Sequence, residues 1–382
     1  AYVDLPYIAL VLGALVLETK RPRAGWPVLA LLALAGLLRP EAWLFSLAYL
    51  AYLSLDPEQL RLRLERLRRR RGPEKAAAVP LGRADTQNAG LIRPAFVRTR
   101  GAAVALTILA LAGPILWALF DWITAGSPTH SFTGTRETVE TLERQTGPID
   151  LVLYGPRRLG EVLQWPGMVG AAGGIVLGLA LLRRRSEVGV AAAVLALAAF
   201  AILACAGLAV IPRYTMLAAA VLAVFAALAL LGWRLLDADH PRRRAWQGFA
   251  AVVAAMFVIW GPNQYDLLHR VDVDLTNQSE IESDLHDLAD SGAFKPLCLP
   301  ISVPNHRAVP RLAFDLDVRP SRIVSSSQQR QPRRGYFLDP ASQFVIHNFI
   351  LDPNDPARFE TSVPSGFQEV SRNSSWVLYR RC

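Results

Sequence analysis

GWPVLALLALAGLLRPEAWLFSLAYLAYLSL, residues 25–55, is the stretch on which the fold depends. Two apolar runs, 25–38 and 42–55, flank Arg39, Pro40 and Glu41. Read as one long helix, the stretch buries two charges in mid-bilayer, at several kcal/mol, and puts a proline where a backbone hydrogen bond is needed. Read as two short helices joined by a tight turn, it brings the charges to a membrane face. The hairpin is the lower-energy reading.

Six more apolar runs lie around it, at about 5–18, 102–124, 166–182, 188–211, 214–233 and 246–262. A helical span needs about 20 residues. The pattern predicts a multipass α-helical membrane protein of about eight spans over residues 1–262. Charge supports this order. The segments 19–24, 56–101, 183–187 and 234–245 carry 22 basic residues. The opposite short loops carry six: Arg39, Arg136, Arg144, Arg157, Arg158 and Arg213. Basic residues collect on the cytoplasmic side, which puts both chain ends outside the cytoplasm. Fusing the hairpin into one helix would invert every later loop and destroy the asymmetry.

Composition agrees. Of the 382 residues, 52% are apolar and 19% charged, against about 25% charged in soluble domains. Mean hydropathy is +0.26. Residues 1–262 hold 28 of the 41 basic and 17 of the 32 acidic side chains, so the net charge of +9 originates there. These figures exclude a water-soluble enzyme, a disordered chain and a disulfide miniprotein. The topology accounts for the basic excess, so no nucleic-acid partner is expected. Residues 57–71 (PEQLRLRLERLRRRR) read as an amphipathic helix resting on anionic membrane lipid. With 38 Arg and only 3 Lys, the chain has the bias of a GC-rich bacterial genome, and the expected location is the plasma (inner) membrane.

Uncommon residues gather on the outer side. Asp4 opens the first run, Arg39 and Glu41 form the hairpin turn, and Ile211-Pro212-Arg213-Tyr214 opens the seventh run. The 40-residue loop 125–164 contains His130, Arg136 and Glu137, with a short helix expected over 138–144 and a stop at Gly147-Pro148. Charges at membrane depth usually face an aqueous cavity, and long loops between spans are commonly functional. Plainer readings also exist. Arg39 and Glu41 serve as a pair capping the hairpin, Arg213 and Tyr214 as an interfacial anchor, and His130 as a loop residue.

The turn Leu38-Arg39-Pro40-Glu41-Ala42-Trp43, the Ser131-Phe132-Thr133-Gly134-Thr135 loop after Trp117 and Asp121, and the Ile-Pro-Arg-Tyr opening of a late Ala/Leu-rich span have this order on one face. In this, residues 1–262 resemble integral-membrane glycosyltransferases of the GT-C superfamily, which includes protein mannosyltransferases and aminoarabinose transferases. The resemblance implies inverting transfer of a sugar from a polyprenyl-phosphate donor to an acceptor outside the plasma membrane. It implies Arg39 and Arg213 for the donor phosphate, with Glu41 orienting Arg39. Asp4, His130, Arg136 and Glu137 would line the acceptor or sugar side, and Tyr214 is a further substrate-binding candidate. It also implies a first span and an outer loop with the general base upstream of Ala1, so the chain is expected to be part of a longer protein. Within it, Asp4 and Glu41 are the catalytic candidates. A divalent metal is left open, and no other cofactor is expected. The alternative is a non-catalytic envelope protein or transporter whose outer domain binds a partner.

From Asn263 onward the apolar runs cease, predicting an extracytoplasmic α/β domain over 263–382. Ser279-Glu280-Ile281-Glu282 reads as a capping box opening a helix that carries Ile281, Leu285 and Leu288 and stops at Gly292. Strands are expected near 297–303, 322–325, 344–350, 366–370 and 375–379, with a short helix or turn over 307–316. On an oxidising face, Cys298 and Cys382 are a plausible disulfide, and Cys205 reads as membrane packing. Asp272-Val273-Asp274 fails as a calcium loop, because Asn277 takes the glycine position and Ser283 the final carboxylate position. No dinucleotide, phosphate-loop or nucleophile-elbow motif occurs.

Overall fold

The computed structural model describes residues 3–55, 100–141, 143–326, 332–350 and 363–382, and the amphipathic helix expected at 57–71 lies outside them. The described chain is mostly helical with a small C-terminal sheet. By contact density it divides into two compact units, Ala1–Arg136 with Thr146–Phe257, and Glu137–Gln145 with Val258–Cys382.

In the first unit, α1 (Asp4–Lys20), α2 (Trp26–Leu38) and α3 (Glu41–Ser54) come first. The hairpin is present: Arg39 is extended at φ −150°, Pro40 caps the next helix and Glu41 is its first residue. At 1.5 Å per residue, α2 and α3 are about 20 Å long, short of a hydrocarbon core of about 30 Å. They are followed by α4 (Arg100–Ala125), α5 (His130–Thr141), α6 (Gly147–Leu181), α7 (Arg183–Cys205), α8 (Met216–Leu231) and α9 (Arg243–Asp290). Five stretches are long and apolar enough to cross a membrane: Gly101–Ala125, Gly147–Leu181, Arg185–Cys205, Pro212–Leu235 and Arg243–Asp290. Five of the eight expected spans are thus full-length helices, and the first three runs form shorter helices of 17, 13 and 14 residues. Ile108, Ile115, Phe120, Val194, Ile202, Val224 and Ile259 are exposed along the long helices. Apolar belts of this kind suit lipid, not water.

Two local expectations are corrected in this region. The short helix is α5, starting at His130, and Gly147-Pro148 begins α6 instead of stopping a helix. Proline is at home in a first helical turn, where its missing N–H has no partner to lose. Asp150 reaches back to the Thr146 N–H at 2.8 Å and secures that start. Within α6 the backbone breaks at Gln164 (φ 60°), two residues before Pro166, so the apolar half begins near the expected residue 166.

Ten of the 23 residues in the core cluster of the unit are alanine. Gly170, Gly174 and Gly178, spaced by four, face α8. A Cβ on Gly174 would collide with the Phe225 carbonyl, and those on Gly170 and Gly178 would lie 3.2 Å from Ala226 and 3.0 Å from Leu228. The two backbones touch, as small residues repeating every four positions allow in membrane helices. Trp246, at the start of α9, donates to the Ala229 carbonyl at 2.9 Å and fixes that helix to the end of α8.

The second unit holds a five-stranded sheet ordered β2-β1-β3-β5-β4. Its strands are β1 (Ile301–Val303), β2 (Ile323–Ser325), β3 (Gly335–Pro340), β4 (Gln368–Arg372) and β5 (Trp376–Arg381). β1 runs parallel to β2 and β3, while β5 is antiparallel to β3 and β4. The connection from β1 to β2 contains α10 (Ala308–Asp315). Ile281, Leu285 and Leu288 from α9 pack with Ile301, Leu312, Leu338 and Trp376 in one core. Cys298 and Cys382 are joined in a disulfide, with Cα atoms 6.1 Å apart. Cys205 is a free, exposed thiol.

Three readings of this region change. Ser279 does not open a helix: it lies inside α9, where its N–H belongs to the helical ladder and needs no cap. The strand expected at 344–350 is a short helical segment, Gln343–Val345 continuing through Ile346–Ile350. Val345, Phe349 and Ile350 are the buried positions, at a helical spacing of four and five, so the helical period prevails over the β-forming composition. β3 had no counterpart in the sequence reading.

Candidate functional site

The hairpin turn builds the site. Arg39 leaves α2 in extended conformation and its side chain is buried. Its Nη1 lies 2.7 Å from Glu41 Oε1 and its Nη2 2.6 Å from Asp4 Oδ1. Asp4 stands in the first turn of α1, where the helix dipole favours an anion. Arg213, in the tight turn Pro212–Thr215 before α8, places Nε 3.1 Å from Asp4 Oδ2. Its backbone carbonyl accepts from Arg39 Nη1 at 3.4 Å. The rings of Tyr7 and Tyr214 lie 5.9 and 5.5 Å from the Arg39 guanidinium carbon, within cation–π reach. Two carboxylates and two guanidiniums balance, the condition under which buried charges are tolerated.

Exposure separates the roles. Asp4, Arg39 and Glu41 side chains are at most 7% exposed, whereas that of Arg213 is 46% exposed. The Nη groups of Arg213 make no hydrogen bond among the described residues, so they remain available to an anion. Both oxygens of Asp4 are engaged by arginine. Glu41 Oε2 and the Tyr7 hydroxyl are buried with no hydrogen-bond partner among the described residues. Such atoms are rare in native structures and mark a place for water or ligand.

A second polar point lies at the end of α4. Asp121 accepts the Ser131 N–H at 2.8 Å and the Ser131 hydroxyl at 2.6 Å, fixing the start of α5. A cavity of about 540 Å³ opens here, walled by Leu37, Trp117 and Phe120, with Asp121 and Ser131 as its polar residues. Trp43 braces this region. Its indole meets Trp117 edge-on at 5.6 Å and donates to the Gly36 carbonyl at 2.9 Å.

Of the residues singled out from sequence, Asp4, Arg39, Glu41, Arg213 and Tyr214 come together. His130, Arg136 and Glu137 lie exposed on α5. Gly207 packs against the Arg136 guanidinium. Tyr7 was missed, although its position three after Asp4 puts both on one face of α1. Glu18 was missed as well. Buried near the other end of α1, it accepts the Tyr49 hydroxyl at 2.6 Å and the Arg23 N–H at 2.7 Å, tying the turn between α1 and α2 to α3. Among the described residues no group of three or more His, Cys, Asp or Glu side chains is arranged to hold a metal ion.

Fold and site together define a helical protein of membrane type with a buried, charge-balanced ionic cluster and one half-exposed arginine. Comparison with family models, curated proteins and solved structures yields no match.

Proposed function

We propose that the chain is a multipass glycosyltransferase of the GT-C type, moving a sugar from a polyprenyl-phosphate donor to an acceptor outside the plasma membrane. The observation that carries the reading is the meeting of three separate stretches of chain in one cluster: Asp4 binds both Arg39 and Arg213, and Glu41 of the hairpin turn holds Arg39. In this reading all eight apolar runs cross the bilayer, the three short helices being accommodated by local thinning. The positive-inside asymmetry then puts the cluster and the C-terminal domain on the outer side.

Each group takes a part suited to its bonding. Arg213 binds the donor phosphate through its free Nη groups, with the planar fork that suits phosphate oxygens. Arg39, held by Asp4 and Glu41, supplies fixed positive charge as phosphate departs from the anomeric carbon. Glu41 Oε2 takes the proton of the acceptor hydroxyl as its oxygen bonds to that carbon with inversion. Asp4, occupied on both oxygens, orients the two arginines. Membranes carrying the protein or its Arg213→Ala variant, supplied with radiolabelled polyprenyl-phosphate sugar, test this assignment. The variant is expected to need far more donor for equal transfer, and equal donor dependence would remove Arg213 from the site.

A further inference from the structure

A second cavity, of about 460 Å³, runs between α1, α7 and α8. Leu12, Val16, Val221 and Val224 form its walls, and Thr19 and Arg185 stand at one end. From Leu12 to Thr19 it covers about two helical turns, roughly 10 Å. It lies toward the opposite end of α1 from Asp4, so it is separate from the ionic cluster.

The end marked by Arg185 is strongly basic. Lys20 and Arg21 follow Thr19, and Arg234 precedes Leu235, another lining residue. None of Lys20, Arg21, Arg185 and Arg234 forms an ion pair among the described residues. Of the nearby carboxylates, Glu18 holds Tyr49 and Glu187 pairs with Arg183 at 2.8 Å, while Asp237 and Asp239, which follow Leu235, form no ion pair with these cations among the described residues. Ser186 turns its hydroxyl to the Leu182 carbonyl at 3.2 Å. The result is a greasy trough with unneutralised cations at one end. Water gains little in such a trough, while a hydrocarbon chain fills it and an anion at its end satisfies the cations.

We propose that this groove binds one anionic phospholipid of the surrounding membrane, an acyl chain lying along Val16 and Val224 and the phosphate on Arg185. The site does not depend on the transferase reading. Each cation near a headgroup contributes about a fivefold preference for anionic lipid.

The test is native mass spectrometry of the purified protein after exchange with mixed vesicles of phosphatidylglycerol and phosphatidylcholine in equal parts. The wild type is expected to retain one phosphatidylglycerol with at least fivefold preference. Arg185→Gln, an exposed substitution that leaves the packing alone, is expected to lower the preference about fivefold, and Val224→Trp, which fills the trough, to abolish retention. Equal retention of the two lipids by the wild type, or an undiminished preference in Arg185→Gln, would overturn the proposal.

Discussion

Arg39 and Asp4, carried on different helices, meet through a 2.6 Å contact between Nη2 and Oδ1, with both side chains less than a tenth exposed. Such a pair is stable only as a pair, because removing one partner strands the other charge away from water. Breaking a buried ion pair costs about 3 to 5 kcal/mol, whereas replacing both members by apolar groups often costs little. Arg39→Leu is expected to lower the melting temperature in detergent sharply. Asp4→Leu combined with Arg39→Leu is expected to lose less than the sum of the two single losses. Additive losses would show that the pair does not act as a unit.

The contact between α6 and α8 rests on Gly174, where any Cβ meets the Phe225 carbonyl. Gly174→Leu is expected to separate the helices and cost several kcal/mol, read as a lost or broadened monodisperse peak in size-exclusion chromatography. Gly248, with open space around its Cβ position, is the control. Gly248→Ala is expected to behave as wild type.

The C-terminal unit is predicted to lose stability as pH rises. Burial pushes the Asp339 carboxyl up from 3.8 to about 6, and its Oδ1 has no partner among the described residues. The folded unit holds this proton where the unfolded chain has released it. The unfavourable contribution is therefore absent below about pH 4, grows between 4 and 6, and is complete above. For a half-exposed group it is on the order of 1 kcal/mol. Asp339→Asn is expected to melt higher than wild type at pH 7 and to match it near pH 4. A difference independent of pH would contradict the assignment.

The disulfide between Cys298 and Cys382 spans 84 positions. Closing a loop of that length removes about 4 to 5 kcal/mol of unfolded-chain entropy in the simplest treatment. Cys382→Ser is expected to lower the unfolding midpoint of the C-terminal unit, and a reducing agent to have the same effect on wild type alone. A midpoint unchanged by either treatment would show that the bond does not restrain the unit.

The local features of this fold were readable in the sequence, and the failures have identifiable causes. Arg39-Pro40-Glu41 gave away the hairpin because charge and proline together forbid one continuous helix. Helix length was less legible, since an apolar run does not reveal where its helix stops, and α2 and α3 have only 13 and 14 residues. Gly147-Pro148 misled because the same pair suits either end of a helix, and only Asp150 reaching back to Thr146 selects the start. Ser279 carried a start signal that the uninterrupted helix around it made irrelevant. In the candidate site, the charged residues were visible as costly choices at membrane depth. The meeting of Arg213 with Asp4, 209 positions apart, was invisible because only the packed helices create it. Tyr7 and Glu18 were overlooked since each sits inside an apolar run where a polar group draws little notice.

The central claim is that this ionic cluster performs glycosyl transfer with Glu41 receiving the acceptor proton. Transfer of radiolabelled sugar from a polyprenyl-phosphate donor, measured in membranes with matched amounts of wild type and Glu41→Gln, tests it most directly. The account predicts transfer by the wild type and a loss of about 100-fold or more in the variant, the usual weight of general-base catalysis. Transfer by Glu41→Gln at the wild-type rate, or no transfer by the wild type from such a donor, would contradict it.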